Sequence, residues 1–397
     1  MLRFCALLLA CVWIVGCALS EAATPDATIR ASLQRDLNQY LIVRSKIEHI
    51  SAISLSISLH GRPENINLTA GLTQYGGGTR VTPNDLWQIG SNTKAFTAAT
   101  ILQLEAEGKL SIDQTVGRWL PEYPAWKDVT IRRLLNMTSG IPGYNKVPAM
   151  LGAYAKNPKR NFTIADLIAY VYPDNSNAPP PTTGYDYSNT NYLLAELIIE
   201  RASRHYYASE LERRFFRSIP GLNETYYSGR IYPRNVLDRM VSGYFFSHAG
   251  DKIGFKRMFG RDVRDDSVSW MQAAGGIVST PEDLTRWARA LYTGPTLAPK
   301  QRAELFSLVS EKTGKPIVQT TPSDPSGFGL GVVQTTIPDI GTVWWYQGES
   351  VGYRVIHIYF PRQDAVIAYG LNSSPGSNEG PQLGLTIYKT LHATGRL

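Results

Sequence analysis

Ser91 and Lys94 stand three residues apart at the start of a segment rich in Ala, Leu and Ile that reaches Ala106 and is followed by Gly108. This pattern predicts a buried helix with Ser91 in its first turn, and the spacing places both side chains on one helix face. A serine hydroxyl becomes a nucleophile when a neighbouring base accepts its proton. A lysine amine can act as that base once desolvation lowers its pKa. The pair predicts acyl transfer through Ser91, with Lys94 as its immediate partner.

A second polar pair, Tyr187 and Asn189, precedes an apolar segment at residues 192–199 that predicts a helix. Residues two apart in an extended chain face the same way, so a phenol and an amide can enter one pocket together. The phenol could relay a proton and the amide could bind a substrate carbonyl. The alternative is that Tyr187 packs and Asn189 caps the helix; the Ser91 motif favours the functional interpretation.

Four stretches together resemble the serine β-lactamase-related family, which includes class C β-lactamases and D-Ala-D-Ala carboxypeptidases. They follow the family order and span most of the chain: residues 89–97, 134–142, 187–194 and 274–284. The resemblance implies that Ser91 is acylated, that Lys94 and Tyr187 move protons, and that Asn189 helps to bind substrate.

The third element of that family is Lys-Thr-Gly or His-x-Gly on a strand that lines the pocket. A literal Lys-Thr-Gly stands at residues 312–314, but it lies in a polar stretch before the final predicted strands begin. The Tyr-Gln-Gly of residues 346–348 lies within a predicted strand, so we assign Tyr346 and Gly348 to the pocket. The N–H of Glu349 would then be the second oxyanion donor, beside that of Ser91.

This assignment removes a positive charge from the predicted pocket. The family's lysine or histidine helps to recognise a substrate carboxylate, whereas Tyr346 offers one neutral hydroxyl. Arg354 could supply the charge if its strand returns alongside, because a guanidinium suits carboxylates. If it does not, uncharged esters or amides are the expected substrates.

The predicted function is therefore hydrolysis of an amide or ester carbonyl through an acyl-enzyme. The expected enzyme is a penicillin-recognising D-Ala-D-Ala carboxypeptidase or a β-lactamase-like enzyme, acting on a peptidoglycan peptide, a β-lactam or an ester. One alternative is a carboxylesterase of the same fold. The non-enzyme alternative is a penicillin sensor without turnover or a cell-wall ligand-binding module, which the intact nucleophile disfavours. No cofactor is expected, and the six histidines form no metal-binding motif.

Predicted strands lie near both ends of the chain, and helical segments with Pro-rich loops occupy the middle. This order predicts an α+β fold with an antiparallel sheet flanked by helices and an inserted, mostly helical domain, as the family resemblance also implies. We assign residues 24–90 and 281–397 to the sheet-and-helix part and residues 91–280 to the helical part. Strict alternation at residues 53–59 predicts a half-buried strand.

The composition predicts a folded globular protein, and the N-terminal segment predicts export. The 397 residues are 43% hydrophobic and 18% charged, and the net charge of +7 is scattered rather than clustered, so no nucleic acid partner is expected. An apolar run at residues 7–15 predicts a signal peptide at 1–23 and a periplasmic, envelope-anchored or secreted location. Cys17 follows small residues as in a lipoprotein box, so a signal of 1–16 with a lipid anchor on Cys17 stays open.

Residues 348–352 also match the Gly-x-Ser-x-Gly pattern, in which an α/β-hydrolase would use Ser350 on a strand-to-helix turn. The following residues, 353–360, are rich in β-branched and aromatic types and predict a strand instead. Little chain remains for a downstream acid and histidine.

We expect Ser350→Ala to leave hydrolysis at the wild-type rate, because Ser91 and not Ser350 is the predicted nucleophile. Hydrolysis of p-nitrophenyl acetate by the purified protein checks this, with Ser91→Ala as the inactive control. Loss of hydrolysis in a folded Ser350→Ala protein would support the α/β-hydrolase alternative.

Overall fold

The structure is a computed structural model that describes residues 25–172 and 182–397. The predicted signal segment and Cys17 lie outside these ranges, so export and lipidation stay predictions. Within the two ranges, no helix has both the length and the apolar composition required to span a bilayer.

The strands form one large sheet and two small ones. In chain order they are β1 (Ala52–Ser58), β2 (Ile66–Gln74), β3 (Gly77–Arg80), β4 (Trp87–Gln88), β5 (Thr225–Tyr227), β6 (Tyr244–Phe246), β7 (Ile277–Ser279), β8 (Leu308–Ser310), β9 (Pro316–Ile317), β10 (Ser326–Phe328), β11 (Val333–Ile337), β12 (Gly341–Glu349), β13 (Arg354–Phe360), β14 (Ala365–Leu371) and β15 (Ser373–Pro375). The large sheet has the order β3-β2-β1-β14-β13-β12-β11-β10-β8-β9, and its neighbouring strands are antiparallel. The predicted antiparallel sheet and α+β class are confirmed.

Helices cover both faces of this sheet. They are α1 (Pro25–Glu48), α2 (Thr93–Ala106), α3 (Val116–Trp119), α4 (Ile131–Leu135), α5 (Pro148–Lys156), α6 (Ile164–Ile168), α7 (Thr190–Ser203), α8 (Tyr207–Leu211), α9 (Arg234–Leu237), α10 (Pro281–Tyr292), α11 (Pro299–Leu305) and α12 (Gly380–Ala393). Helices α1 and α12 pack together against the sheet, α10 packs against β1 and β14, and α2 packs against α7. The strands of the large sheet come from residues 52–80 and 308–371, and helices with a three-stranded sheet occupy most of the chain between them. The boundaries assigned to the two parts stay a prediction.

Strand β1 differs from its predicted half-buried state, because every one of its residues is buried. Its Ile and Leu side chains join the core that α1 and α12 cover. The face of β1 that carries its serines is buried as well, and hydrogen bonds from neighbouring polar side chains satisfy two of the serine hydroxyl groups. Ser58 Oγ accepts a hydrogen bond from Arg289 on α10, and Ser56 Oγ accepts one from Asn65. The alternation of apolar and polar residues therefore predicted the strand correctly, but it did not predict that both faces of the strand are buried.

A buried ion pair joins the end of α1 to the start of β13. Glu48 Oε2 lies 2.6 Å from a terminal nitrogen of Arg354, and both side chains are 0% exposed. Arg354 Nε also donates to the Ser373 carbonyl at 2.8 Å. Burial acts to raise the pKa of Glu48, but the charge of Arg354 and hydrogen bonds from Arg44 and Arg354 outweigh it, so the pKa is lowered.

Replacing Arg354 by methionine is expected to lower the free energy of unfolding by about 3–5 kcal/mol, because it leaves the Glu48 carboxylate buried without its main partner. Urea denaturation followed by circular dichroism measures the change. Arg396→Met is the matched control, since Arg396 pairs with Asp26 near the surface and should cost below about 1 kcal/mol. Equal effects of the two substitutions would contradict the prediction.

Candidate active site

The site begins where two stretches of backbone touch. Ser91 lies in a short 3-10 turn, Gly90–Asn92, that leads directly into α2. Gly90 has φ +50°, and a Cβ there would lie 2.7 Å from the backbone nitrogen of Glu349. A Cβ on Gly348 would lie 1.8 Å from the Ile89 carbonyl oxygen. Only glycine at both positions allows this approach, which brings the end of β12 against the nucleophile turn.

The Ser91 hydroxyl receives two hydrogen bonds. Lys94 Nζ lies 2.9 Å from Ser91 Oγ, and the Tyr187 hydroxyl donates to the same atom at 2.8 Å. Lys94 Nζ also donates to the Ala274 carbonyl at 2.6 Å. The structure therefore places the predicted serine, lysine and tyrosine in one cluster.

Burial sets the protonation states in this cluster. Lys94 is fully buried, and desolvation lowers the pKa of its amine well below the usual range. A neutral amine can accept the Ser91 proton. Burial also raises the pKa of Tyr187 to about 12, although its hydrogen bond to Ser91 acts to lower it. The phenol is thus protonated at neutral pH and able to donate.

Tyr346 extends the cluster from strand β12. Its hydroxyl donates to the Tyr187 hydroxyl at 3.1 Å, which forms a chain of hydroxyl groups ending at Ser91. The Lys-Thr-Gly of residues 312–314 lies in the turn between β8 and β9 at one edge of the sheet, where Gly314 packs against the backbone of Gly184 and Tyr185. Of the two candidate third motifs, the structure brings residues 346–348 to Ser91.

The N–H of Glu349 points away from strand β13. Ser350 N–H donates to the Tyr353 carbonyl at 3.0 Å, and bonding alternates along an antiparallel pair, so Glu349 directs its N–H to the opposite side. On that opposite side, strand β11 pairs with β12 only as far as Trp345 and does not reach Glu349. This N–H therefore meets no neighbouring strand and faces the turn that carries Ser91, as an oxyanion donor must.

Asn189 follows Tyr187 on the same segment and directly precedes helix α7. Its side chain makes no capping hydrogen bond, so the alternative of a capping residue is wrong. Its Oδ1 is buried and has no hydrogen-bond partner among the residues that the structure describes. A buried amide oxygen without a partner fits a group that binds a ligand.

In a comparison with protein-family models, the beta-lactamase model matches residues 41–389. The chain belongs to the beta-lactamase family. The predicted family resemblance is confirmed, and with it the assignment to a family of serine hydrolases.

Among curated proteins, this beta-lactamase-family chain is 29% identical over 283 residues to penicillin-binding protein 4* of Bacillus subtilis (strain 168). That match covers 70% of this chain and 58% of the relative, so the chain spans a little over half the length of this relative. The D-amino acid amidase of Ochrobactrum anthropi SV3 superposes with a TM-score of 0.75 at 22% identity, covering 93% of this chain and 99% of that one. A D-stereospecific amidohydrolase from Streptomyces sp. has a TM-score of 0.72 at 24% identity and covers 91% and 97% of the two chains. These two structures confirm the fold.

Arg354 does not serve the pocket in this beta-lactamase-family protein, which corrects the expectation stated from the sequence. Its strand does return beside β12, and Arg354 pairs directly with Glu349 in the register. However, its guanidinium is fully buried against Glu48 and the Ser373 carbonyl. The positive charge of Arg354, which was expected to bind a substrate carboxylate, is instead paired with Glu48 at the end of α1.

A buried hydrogen-bond network behind Ser91 was missed by the sequence analysis. Asn92 Nδ2 donates to the carbonyls of Ile89 and Val355, and its Oδ1 lies 2.7 Å from His357 Nδ1. His357 Nε2 lies 2.9 Å from the Tyr292 hydroxyl. Burial lowers the pKa of His357 to about 3, so the ring is neutral. The only signal in the sequence was an amide directly after the nucleophile, and nothing there linked it to residues more than 250 positions away.

An aromatic wall beside the cluster was also missed. The Phe328 ring lies 6.2 Å from that of Tyr187, 5.8 Å from that of Tyr185 and 6.0 Å from that of Tyr346, between centroids. Beyond this wall, a Glu311 carboxylate oxygen lies 3.5 Å from the Tyr185 hydroxyl. Phe328 belongs to a short strand more than 100 residues from Tyr187 in sequence, so no local pattern joined them.

Gly348→Ala is expected to slow acylation of Ser91 by about 100-fold, because the new Cβ would push the end of β12 away from the Ile89 carbonyl and displace the Glu349 N–H. Intact-mass measurement of the acylated protein in a single turnover gives the rate. Gly77→Ala is the matched control, since a Cβ there meets nothing within 4 Å. A wild-type acylation rate in Gly348→Ala would show that the approach of β12 is not required.

Proposed function

We propose that the protein hydrolyses an amide or ester carbonyl through an acyl-enzyme on Ser91. The observation that carries the proposal is the pair of hydrogen bonds to Ser91 Oγ from a desolvated lysine and a protonated tyrosine. A buried, neutral amine next to a hydroxyl at a helix start is an arrangement for activating that hydroxyl. A structural role for Lys94 would instead favour a carboxylate partner, and none forms an ion pair with it in residues 25–172 and 182–397.

The proposed sequence of steps uses each of these groups. Ser91 Oγ attacks the carbonyl carbon while Lys94 accepts its proton, and the N–H groups of Ser91 and Glu349 stabilise the oxyanion. The proton then passes through Tyr187 to the leaving group as the bond to the carbonyl carbon breaks. Water attacks the acyl-enzyme with the same base, releases the acid product and restores the Ser91 hydroxyl.

The charges near the site support an uncharged leaving group. Tyr346 occupies the position of the family's cation, and Arg354 is committed to Glu48. Glu311 lies next to the aromatic wall, and its carboxylate has the same negative charge as a substrate carboxylate would have. At the third motif a substrate carboxylate would therefore meet a neutral hydroxyl instead of a cation, and burying a carboxylate without a cationic partner costs binding energy.

We therefore propose an amide or ester with an uncharged leaving part as the substrate class, with D-amino acid amides as the first to examine. The fold shared with a D-amino acid amidase and a D-stereospecific amidohydrolase supports this choice. A penicillin-recognising D-Ala-D-Ala carboxypeptidase is the second candidate, because the relative at 29% identity is named as a penicillin-binding protein. Export, with or without a lipid on Cys17, belongs to the proposal and is supported by the apolar N-terminal run.

A matched pair of substrates tests the proposed charge preference. N-acetyl-D-Ala-D-Ala and its C-terminal amide differ only in the charge of the leaving part. We expect kcat/KM for cleavage of the central bond to be about tenfold higher for the amide form, and we expect Ser91→Ala to cleave neither. Hydrolysis of D-phenylalanine amide, measured as ammonia release, checks the favoured class directly.

Intact-mass analysis after mixing with benzylpenicillin completes this experiment. A persistent adduct on the wild-type protein and not on Ser91→Ala, with faster cleavage of the free-acid peptide, would favour the penicillin-recognising candidate. Equal behaviour of wild type and Ser91→Ala toward all these compounds would contradict the acyl-enzyme proposal itself.

A further inference from the structure

Glu196 is a buried carboxyl group that the proposed chemistry does not use. It lies in helix α7, is 5% exposed, and forms no ion pair with a cation in the described part of the chain. A buried carboxyl without a cationic partner is costly and therefore uncommon. Its position next to the catalytic cluster suggests what it does.

The carboxyl group anchors a strained turn. Glu196 Oε2 accepts a hydrogen bond from the Ala273 N–H at 2.8 Å, and its Oε1 lies 3.3 Å from the Tyr227 hydroxyl. The turn is the 3-10 segment Gln272–Ala274. Gln272 has φ +43°, a left-handed conformation that costs energy for a residue with a side chain. The bond to Glu196 falls on the residue directly after this strained position.

The same turn fixes Lys94. The carbonyl of Ala274 accepts from Lys94 Nζ at 2.6 Å, and the carbonyl of Ala273 accepts from the Thr97 hydroxyl at 2.8 Å. The amine therefore contacts the turn on one side and Ser91 Oγ on the other. A shift of the Ala274 carbonyl would move the amine away from the hydroxyl that it must deprotonate.

We propose that Glu196 is a positioning residue for acylation: it fixes Ala273, so that the Ala274 carbonyl keeps the Lys94 amine on Ser91. This inference rests on the function proposed above, because it assigns to Glu196 a part in that same step. In the proposed acylation step, Glu196 neither touches the substrate nor transfers a proton.

The surroundings of Glu196 determine how the proposal is tested. Glu196, Gln272 and Tyr227 line a cavity of about 700 Å³, so truncation of the side chain leaves space into which the turn can relax. Burial raises the pKa of Glu196 to about 8, so the group is mostly neutral at pH 7. Glutamine then reproduces its shape and its acceptor oxygen, whereas alanine removes both.

Glu200 provides a matched control one turn further along α7. It lines the same cavity, and its Oε1 accepts a hydrogen bond from the Tyr207 N–H at 3.0 Å. Within the described residues, its side chain makes no hydrogen bond to the turn that holds Lys94. Glu200→Ala therefore removes a carboxyl group and a backbone hydrogen bond without affecting Ala273.

The experiment measures modification of Ser91 by an alkyl fluorophosphonate, followed by intact mass across a range of probe concentrations. For Glu196→Ala we expect the limiting rate to fall by up to about 100-fold. The half-saturating concentration should stay within about threefold, because the probe contacts are intact. Glu196→Gln and Glu200→Ala are expected to stay within about threefold of wild type in both constants. Glu196→Asp, which is too short to reach Ala273, replaces Glu196→Ala if the latter does not fold, and the same loss is expected.

Any one of three results would overturn the proposal. The first two are a wild-type limiting rate in folded Glu196→Ala or Glu196→Asp, and an equal loss in Glu196→Gln and Glu196→Ala. A loss in Glu200→Ala as large as that in Glu196→Ala would also overturn it, since a general effect of the cavity would then explain the data. Failure of the proposed function is distinguishable. In that case the wild-type protein itself would show no more labelling than Ser91→Ala.

Discussion

The catalytic geometry depends on a direct contact between two pieces of backbone. Gly90 precedes the nucleophile, Gly348 ends the strand that borders it, and neither position has room for a Cβ. This contact joins the start of α2 to the end of β12 and places the Glu349 N–H beside the Ser91 turn. Asn92 and His357 reinforce it from behind through buried hydrogen bonds. An oxyanion site made of backbone groups needs such a contact, because its donors cannot adjust as side chains can.

In the proposed mechanism, desolvation gives the cluster its reactivity. Lys94 is surrounded by protein, and its amine is fixed between a hydroxyl group and a peptide carbonyl rather than by a carboxylate. A carboxylate partner would favour the ammonium form and remove the base, whereas a carbonyl fixes the amine with much less effect on its charge. The turn that provides this carbonyl carries its own strain at Gln272 and is anchored by Glu196. In the proposed mechanism, a second layer of buried polar contacts therefore determines the position of the base.

The charge of the pocket separates this chain from the pattern that its family resemblance implies. A lysine or histidine at the third motif would draw in a substrate carboxylate. Here Tyr346 takes that position and uses its hydroxyl to support Tyr187. The positive charge nearest in sequence, Arg354, serves the fold by pairing with Glu48. This difference supports the proposal that the enzyme prefers substrates with an uncharged leaving group, because specificity depends on the groups that surround the nucleophile.

Local patterns in the sequence were enough to predict the strand at β1, the buried helix behind Ser91, and the pairing of Ser91 with Lys94, because each depends on residues within one short segment. The antiparallel sheet followed from the order of the predicted elements together with the family resemblance. The choice of residues 346–348 over the literal motif at 312–314 also followed from the sequence, since a strand was predicted at the former. Tertiary structure decided the rest. It decided the burial on both faces of β1, the ion pair of Arg354 with Glu48, which are 306 positions apart, and the contact of Glu196 with Ala273, which are 77 positions apart. Such contacts are set by how elements pack, and side-chain type and spacing within one segment carry no information about which distant group will meet a buried charge.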